Sequence, residues 1–201
     1  MNGPDVRPLS EGFLDWWFAP WALGGATPAF AQGASALARR HGYRLWCGAA
    51  GIPPDLPPAF DSGWQVAAQT DSGLLRHAAS LYAAMLAVRQ GRQAALTALA
   101  PAERRWCMGI AATQPLQPLT QPDPATALET WGLAELAGAL DAGFAGIWPR
   151  LQIVLDEVPG AGEPTVARVE GIAAPAAAAR RLRCWRLCFD RAASSGIREA
   201  A

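Results

Sequence analysis

The segment from Asp123 to Asp156, DPATALETWGLAELAGALDAGFAGIWPRLQIVLD, carries the clearest periodicity in the chain and most restricts its folds. Leu128, Trp131, Leu133, Leu136, Ala137, Leu140, Phe144 and Ile147 form a broad apolar stripe at helical spacing, while Glu129, Glu135 and Asp141 fall mostly on the other side. Asp123 and Pro124 supply an N-cap and a first-turn proline. A glycine inside a helix costs up to about 1 kcal/mol relative to alanine. Four of them, Gly132, Gly138, Gly143 and Gly146, therefore predict close backbone packing or curvature. Pro149 is expected to end the helix, and 151–156 alternates well enough for a strand. A turn at 159–164 and a second strand over 165–172 would complete a hairpin, which must pack on helices because a lone hairpin is marginal in water.

The rest of the chain reads as further helices. Asp71 or Ser72 can cap a run in which Leu74, Leu75, Ala78, Leu81, Tyr82, Met85 and Leu86 recur until Gly91 closes it. Residues 92–100 resume helix, and Pro101 suits the first turn of the next, with Arg104 and Arg105 solvated and Trp106, Met108 and Ile110 inward. Residues 29–41 are expected to be helical, with Ala34, Leu37 and Ala38 inward and Gly42 at the C-terminal end, whereas the Pro-rich stretch 51–58 must be loop. Pro175 opens the last helix, with Ala178, Leu182, Trp185, Phe189 and Ala192 on one arc and Arg183, Arg186 and Asp190 outside. The expected class is mainly α, a compact helical domain with a small two-stranded β element near the C-terminal third. It forms a single domain, 1–201, with an aromatic N-terminal arm at 1–28. The Pro/Gln-rich connector at 113–122 is the best candidate for an internal boundary.

The formal charge is zero, with 17 basic and 17 acidic residues, and this gives no support to nucleic-acid binding. No run approaches the roughly 20 apolar residues that span a bilayer, so direct membrane insertion is not expected. The N-terminus lacks a basic region leading into an apolar one, which points to a cytoplasmic protein. Cys47, Cys107, Cys184 and Cys188 read as reduced core residues; Cys184 and Cys188 share a helix face but lack further ligands for a metal. No nucleotide-binding, hydrolase or metal motif is present. Cys107 has no nucleophile signature, His41 and His77 read as surface or capping residues, and Asp156 with Glu157 is either an acid pair or a solvated turn. No catalytic residue, metal or cofactor is assigned.

Two stretches are candidates for binding a partner. Phe13, Trp16, Trp17, Phe18 and Trp21 make the most aromatic part of the chain, either an arm packed on the core or an exposed patch, since tryptophan is enriched at interface hot spots. The charge is also uneven. From 123 to 163 there are seven acids and one basic residue, Arg150, whereas 180–191 holds Arg180, Arg181, Arg183, Arg186 and Arg191 with a single Asp. The basic last helix is either an ordinary core helix or a partner-docking one; membrane-surface binding is least favoured because its apolar arc is narrow. The candidate partner-binding residues are Trp16, Trp17, Trp21, Arg180, Arg181, Arg183 and Arg186.

Three passages together resemble the small SctK proteins (YscK/PscK type) of bacterial type III secretion systems. They are WWFAPWAL at 16–23, LYAAMLAVRQGRQAAL at 81–96 with the following AERRWCMGIAATQPLQPL, and WGLAELAGALDAGFAGIWPRLQIVLDEVP at 131–159. The resemblance implies a non-enzymatic adaptor of the cytoplasmic sorting platform. It would link the cytoplasmic domain of the inner-membrane ring protein to the pod protein, bind no cofactor, and lie peripheral to the inner membrane through its protein partners. Two alternatives stand beside it. One is a small helical enzyme with an isolated Cys or acid-pair site; the other is a helical chaperone or regulator of one secreted protein.

Overall fold

A computed structural model of the chain describes residues 8–24, 28, 31, 35–155, 167–168 and 175–199. The described residues are mainly helical and fall into two compact units, Met1–Thr70 with Leu140–Ala161 and Asp71–Ala139 with Gly162–Ala201. The connector at 113–122 lies within the second unit.

In the first unit, α1 (Glu11–Phe18) begins at Ser10, whose hydroxyl accepts the Phe13 N–H at 3.2 Å. It buries Phe13, Trp16 and Trp17. A 3-10 turn over Pro20–Gly24 leads on to α2 (Ala36–Ala49), capped by the Ser35 hydroxyl. A second 3-10 turn, Ser62–Ala67, starts where Asp61 accepts the Gly63 N–H. The chain returns to this unit in the last turn of α5 (Leu128–Gly143) and in α6 (Ile147–Val154). Buried Phe144 gathers the aromatic core: the rings of Phe13 and Trp17 lie 5.3 and 5.4 Å from its own, and the exposed Phe60 ring stacks on it at 4.5 Å.

Helix α5 stops at a sharp break before α6. Gly146 has φ +94°, a left-handed conformation that costs a glycine little, and a Cβ there would lie 2.8 Å from Trp17 Cη2 and 2.9 Å from Pro53 Cγ. Pro149 then sits in the first turn of α6, where its missing N–H needs no partner. Pro149 therefore belongs to a helix start, and 151–154 is helical where a strand was expected. One turn further on, the Arg150 guanidinium is completely buried and stacked 3.6 Å from the Trp17 ring. It donates to the carbonyls of Trp17, Gly146 and Pro53 at 3.2, 2.9 and 2.9 Å and to the Tyr43 hydroxyl at 3.3 Å.

The second unit is organised by α3 (Ser72–Arg89), capped by the Asp71 carboxylate on the Leu74 N–H at 3.0 Å. Leu81 to Ala87 are all buried, so this helix is covered on every side there. It packs against α4 (Pro101–Thr113) and α7 (Pro175–Glu199). A 3-10 turn at Gln93–Ala98 stands where 92–100 was expected to be helix. The described β structure is a two-residue antiparallel pairing of β1 (Thr120–Gln121) with β2 (Ala167–Arg168), in register Thr120 to Arg168. The predicted hairpin is thus not formed, since 151–154 is helical and 167–168 pairs with the connector. Residues 156–166 and 169–174 lie outside the described residues.

Several expected faces are corrected. Asp123 does not cap α5; its carboxylate and carbonyl close a turn on the N–H groups of Ala125 and Thr126, and the helix starts at Leu128. Helix α2 runs through Gly42 to Ala49, and Leu37 and Ala38 face solvent because Cys47, Tyr43 and Trp46 take the inner side. In α4 the inward residues are Cys107 and Ala111, and Met108 is exposed.

The glycines of α5 serve packing unequally. A methyl at Gly132 would collide with the backbone of Ala79 in α3, whereas one at Gly138 would only touch Leu119 Cδ1 at 3.4 Å. Gly132→Ala is expected to lower stability by about 1–3 kcal/mol through overpacking against an unyielding backbone. Gly138→Ala is expected to raise it by up to about 1 kcal/mol through helix propensity. Urea midpoints of the two variants check this; equal shifts would contradict it.

Candidate protein-interaction site

Helix α7 carries the basic cluster, and its apolar arc is buried from Leu182 onward, whereas Ala178, expected on the same arc, is exposed in the first turn. Leu182, Cys184, Trp185, Cys188, Phe189 and Ala192 are buried, and Trp185 lies flat on Tyr82 at 4.2 Å and 8°. The outer side presents Arg183, Asp190 and Leu187, which is 39% exposed. Arg180 and Arg186 are half-buried at its margins, and Arg180 Nη1 reaches the Pro115 carbonyl at 3.5 Å. Arg181 turns inward and is 7% exposed. Of the four candidate arginines, Arg183 is the one fully presented to solvent, with Arg180 and Arg186 beside it.

The three candidate tryptophans belong to the other unit. Trp16 and Trp17 are buried, and Trp16 Nε1 donates to the Gln69 carbonyl at 3.3 Å. Trp21 is half-buried, edge-on to Tyr43 and Trp46 at 6.1 Å each. Within the aromatic stretch Phe13, Trp16 and Trp17 are packed inside and not available on the surface, whereas Phe18 is exposed. A close series of aromatic residues near a chain end does not by itself distinguish a core plug from a hot spot.

The residues of chemically reactive type are held in structural contacts. The Cys107 thiol donates to the Leu81 carbonyl at 3.6 Å, and burial pushes its pKa up to about 12, so it is a protonated thiol at neutral pH. Burial also pushes up the thiols of Cys47, Cys184 and Cys188, and all four cysteines are free and buried. His77 Nε2 lies 2.7 Å from Glu103, and His41 is exposed on α2. Among the described residues no group of three His, Cys, Asp or Glu could hold a metal, and no helix is long and apolar enough to cross a membrane. Asp156 and Glu157, the candidate acid pair, lie outside the described residues.

Two ionisable residues were not singled out from sequence. Arg150 was visible as the lone cation of an acidic stretch, but nothing in its spacing marks it as buried. Glu135 was assigned to the solvent side of α5 and is instead completely buried. Its carboxylate accepts the Leu119 N–H at 2.9 Å, the Thr120 N–H at 2.7 Å and the Thr120 hydroxyl at 2.6 Å. It thereby serves the backbone of the connector and the start of β1. Compared with protein families, curated proteins and solved structures, the chain matches none.

Burial raises the Glu135 pKa above its ordinary 4.5, against the pull of the Thr120 and Leu119 hydrogen bonds and the Arg181 charge. A carboxyl raised in the folded state binds its proton more tightly there than in the unfolded chain. Its stabilising contribution is therefore full below 4.5 and is lost as pH rises through the folded value. Denaturation across this window should show the wild type losing stability relative to Glu135→Gln as pH rises. Parallel curves, or a relative gain by the wild type, would contradict the assignment.

Proposed function

We propose that the protein is a non-enzymatic cytoplasmic adaptor of a type III secretion apparatus. In this reading it links the cytoplasmic domain of the inner-membrane ring protein to the pod of the sorting platform and stays peripheral to the membrane through those partners. One observation carries the choice of a binding role: α7 is tied to the core by a full apolar arc yet leaves Arg183 and Leu187 on its outer side, with Arg180 and Arg186 flanking them. An exposed aliphatic side chain with Arg183 beside it and two further guanidinium groups at the margins suits a partner surface with an apolar centre and an acidic rim, where the charges set orientation and encounter rate and the buried centre supplies affinity. The layout resemblance of 16–23, 81–96 and 131–159 to SctK proteins supplies the identity of the partners.

The enzyme alternative has less support. A nucleophilic cysteine needs thiolate character and access, and Cys107 is buried with its pKa pushed up to about 12. Its nearest candidate helper in sequence terms, His77, is engaged by Glu103.

Arg183→Glu combined with Arg186→Glu is expected to weaken capture of ring and pod components by roughly tenfold or more. The melting temperature should stay close to that of the wild type, because Arg183 is exposed and Arg186 lies at the margin of the outer side, outside the apolar arc. Deletion should abolish secretion while the basal body still assembles. Normal secretion without the protein would contradict the adaptor role, and copurification with a single secreted substrate instead of the apparatus would favour a chaperone. A large fall in melting temperature would show that these arginines serve the fold.

A further inference from the structure

Helix α2 is two-faced, and one face has no partner among the described residues. Toward its own unit it buries Cys47 and half-buries Tyr43 and Trp46, with Trp21 against both aromatic rings. On the opposite side, Leu37, His41 and Leu45 follow one another at i, i+4 and i+8, one above the other on a helix surface. Leu37 is 79% exposed and Leu45 62%, the largest exposures of any sizeable apolar side chain in the described structure. Ala38 and Gly48 flank the stripe and are also exposed, so a second backbone can approach closely.

The charges on α2 say what kind of partner would cover it. The helix contains Arg39, Arg40 and Arg44 and no acidic residue. Arg40 is exposed on the edge of the leucine stripe, and Arg44, next to Leu45, holds the Asp55 carboxylate with both contacts at 2.9 Å. That pair is half-exposed on the Arg44 side, leaving the guanidinium open to a second carboxylate. A second copy of the chain is disfavoured here, because pairing α2 with itself would set Arg40 and Arg44 against the same arginines of the other copy. An acidic helix with its own aliphatic stripe meets both conditions, burying the leucines and pairing the guanidinium groups.

We propose that the Leu37–His41–Leu45 face of α2 is the docking site for an acidic amphipathic helix of a partner protein. This site lies on the other unit from α7 and does not rest on the partners named for the adaptor role. The partner's aliphatic side chains lie between Leu37 and Leu45, and its Asp or Glu side chains reach Arg40 and Arg44.

The test uses full-length protein and two labelled helical peptides of about 20 residues, long enough for several turns. Both carry a leucine stripe at i, i+4 and i+7; one has Glu on the flanks and the other has Lys. By fluorescence anisotropy the Glu peptide is expected to bind and to weaken with added salt, while the Lys peptide does not bind. Leu37→Ser with Leu45→Ser should weaken the Glu peptide by roughly tenfold or more. The melting temperature of this variant should be unchanged, because both side chains are already in water. The Arg183→Glu, Arg186→Glu variant should bind the peptide like the wild type. Equal binding of both peptides would overturn the proposal, as would binding that survives the double serine variant or is lost with the α7 arginines. Two other outcomes would replace it. Phosphatidylserine vesicles binding through Leu37 and Leu45 would make the face a membrane contact, and self-association abolished by the double serine variant would make it a homodimer interface.

Discussion

The first unit depends on a cation that water cannot reach. Arg150 is completely buried, and its hydrogen-bond partners among the described residues are all neutral: three backbone carbonyls and the Tyr43 hydroxyl. Taking a guanidinium out of water is expensive, and burial lowers its pKa from the ordinary value. Arginine tolerates this because its charge is delocalised, weakly hydrated and all but impossible to remove, and because its planar fork can serve several acceptors at once. The Trp17 ring adds its negative face at 3.6 Å. The acceptors come from the end of α1, the α5–α6 break, the loop after α2, and α2 itself. One side chain therefore gathers four pieces of chain that no sheet or helix ladder joins. Lysine could not replace it, since a single ammonium lacks the geometry to reach four separated oxygens.

The second unit uses a buried carboxyl in the same way. Glu135, also completely buried, gathers the N–H groups of Leu119 and Thr120 and the Thr120 hydroxyl. These backbone groups open a two-residue strand and would otherwise be short of partners away from water. Both residues belong to the 123–156 stretch. That stretch supplies more than an apolar stripe: it places one buried carboxyl and one buried guanidinium 15 residues apart, each ordering irregular chain in its own unit.

Much of the local structure was legible because its causes are local. Asp71 and Pro101 start helices where a cap or first-turn proline predicts. The arc of Leu182, Trp185, Phe189 and Ala192 is buried, and Gly132 marks a backbone contact as its helix penalty implies. What escaped the sequence depends on long-range partners. Pro149 reads as a stop until Gly146 is known to have reversed the chain just before it. Asp123-Pro124 reads as a helix start, yet Arg92 binds the carbonyls of both residues and holds them as a turn. Glu135 reads as solvated because hydrophobic patterning assigns every carboxylate to water and cannot see two N–H groups arriving from a connector 15 residues upstream. On the candidate interaction site the outer position of Arg183 was legible from the α7 pattern, whereas the half-burial of Arg186 and the burial of Trp16, Trp17 and Arg181 were not. Leu37 of α2 reads as inward yet faces solvent, because a helix with two apolar sides gives no single moment to orient it.

The central physical claim is that Arg150 holds α1, α2 and the loop after it to α6. Native-state hydrogen exchange on Arg150→Met tests this most directly, since methionine keeps a similar apolar stem and removes the donors. Loss of protection should concentrate in 10–18 and 43–54, while the buried core of α3, 81–87, keeps its protection. Unchanged exchange in 10–18 and 43–54, or an equal loss throughout the chain, would show that the guanidinium is a passenger in a unit held together by its aromatic core alone.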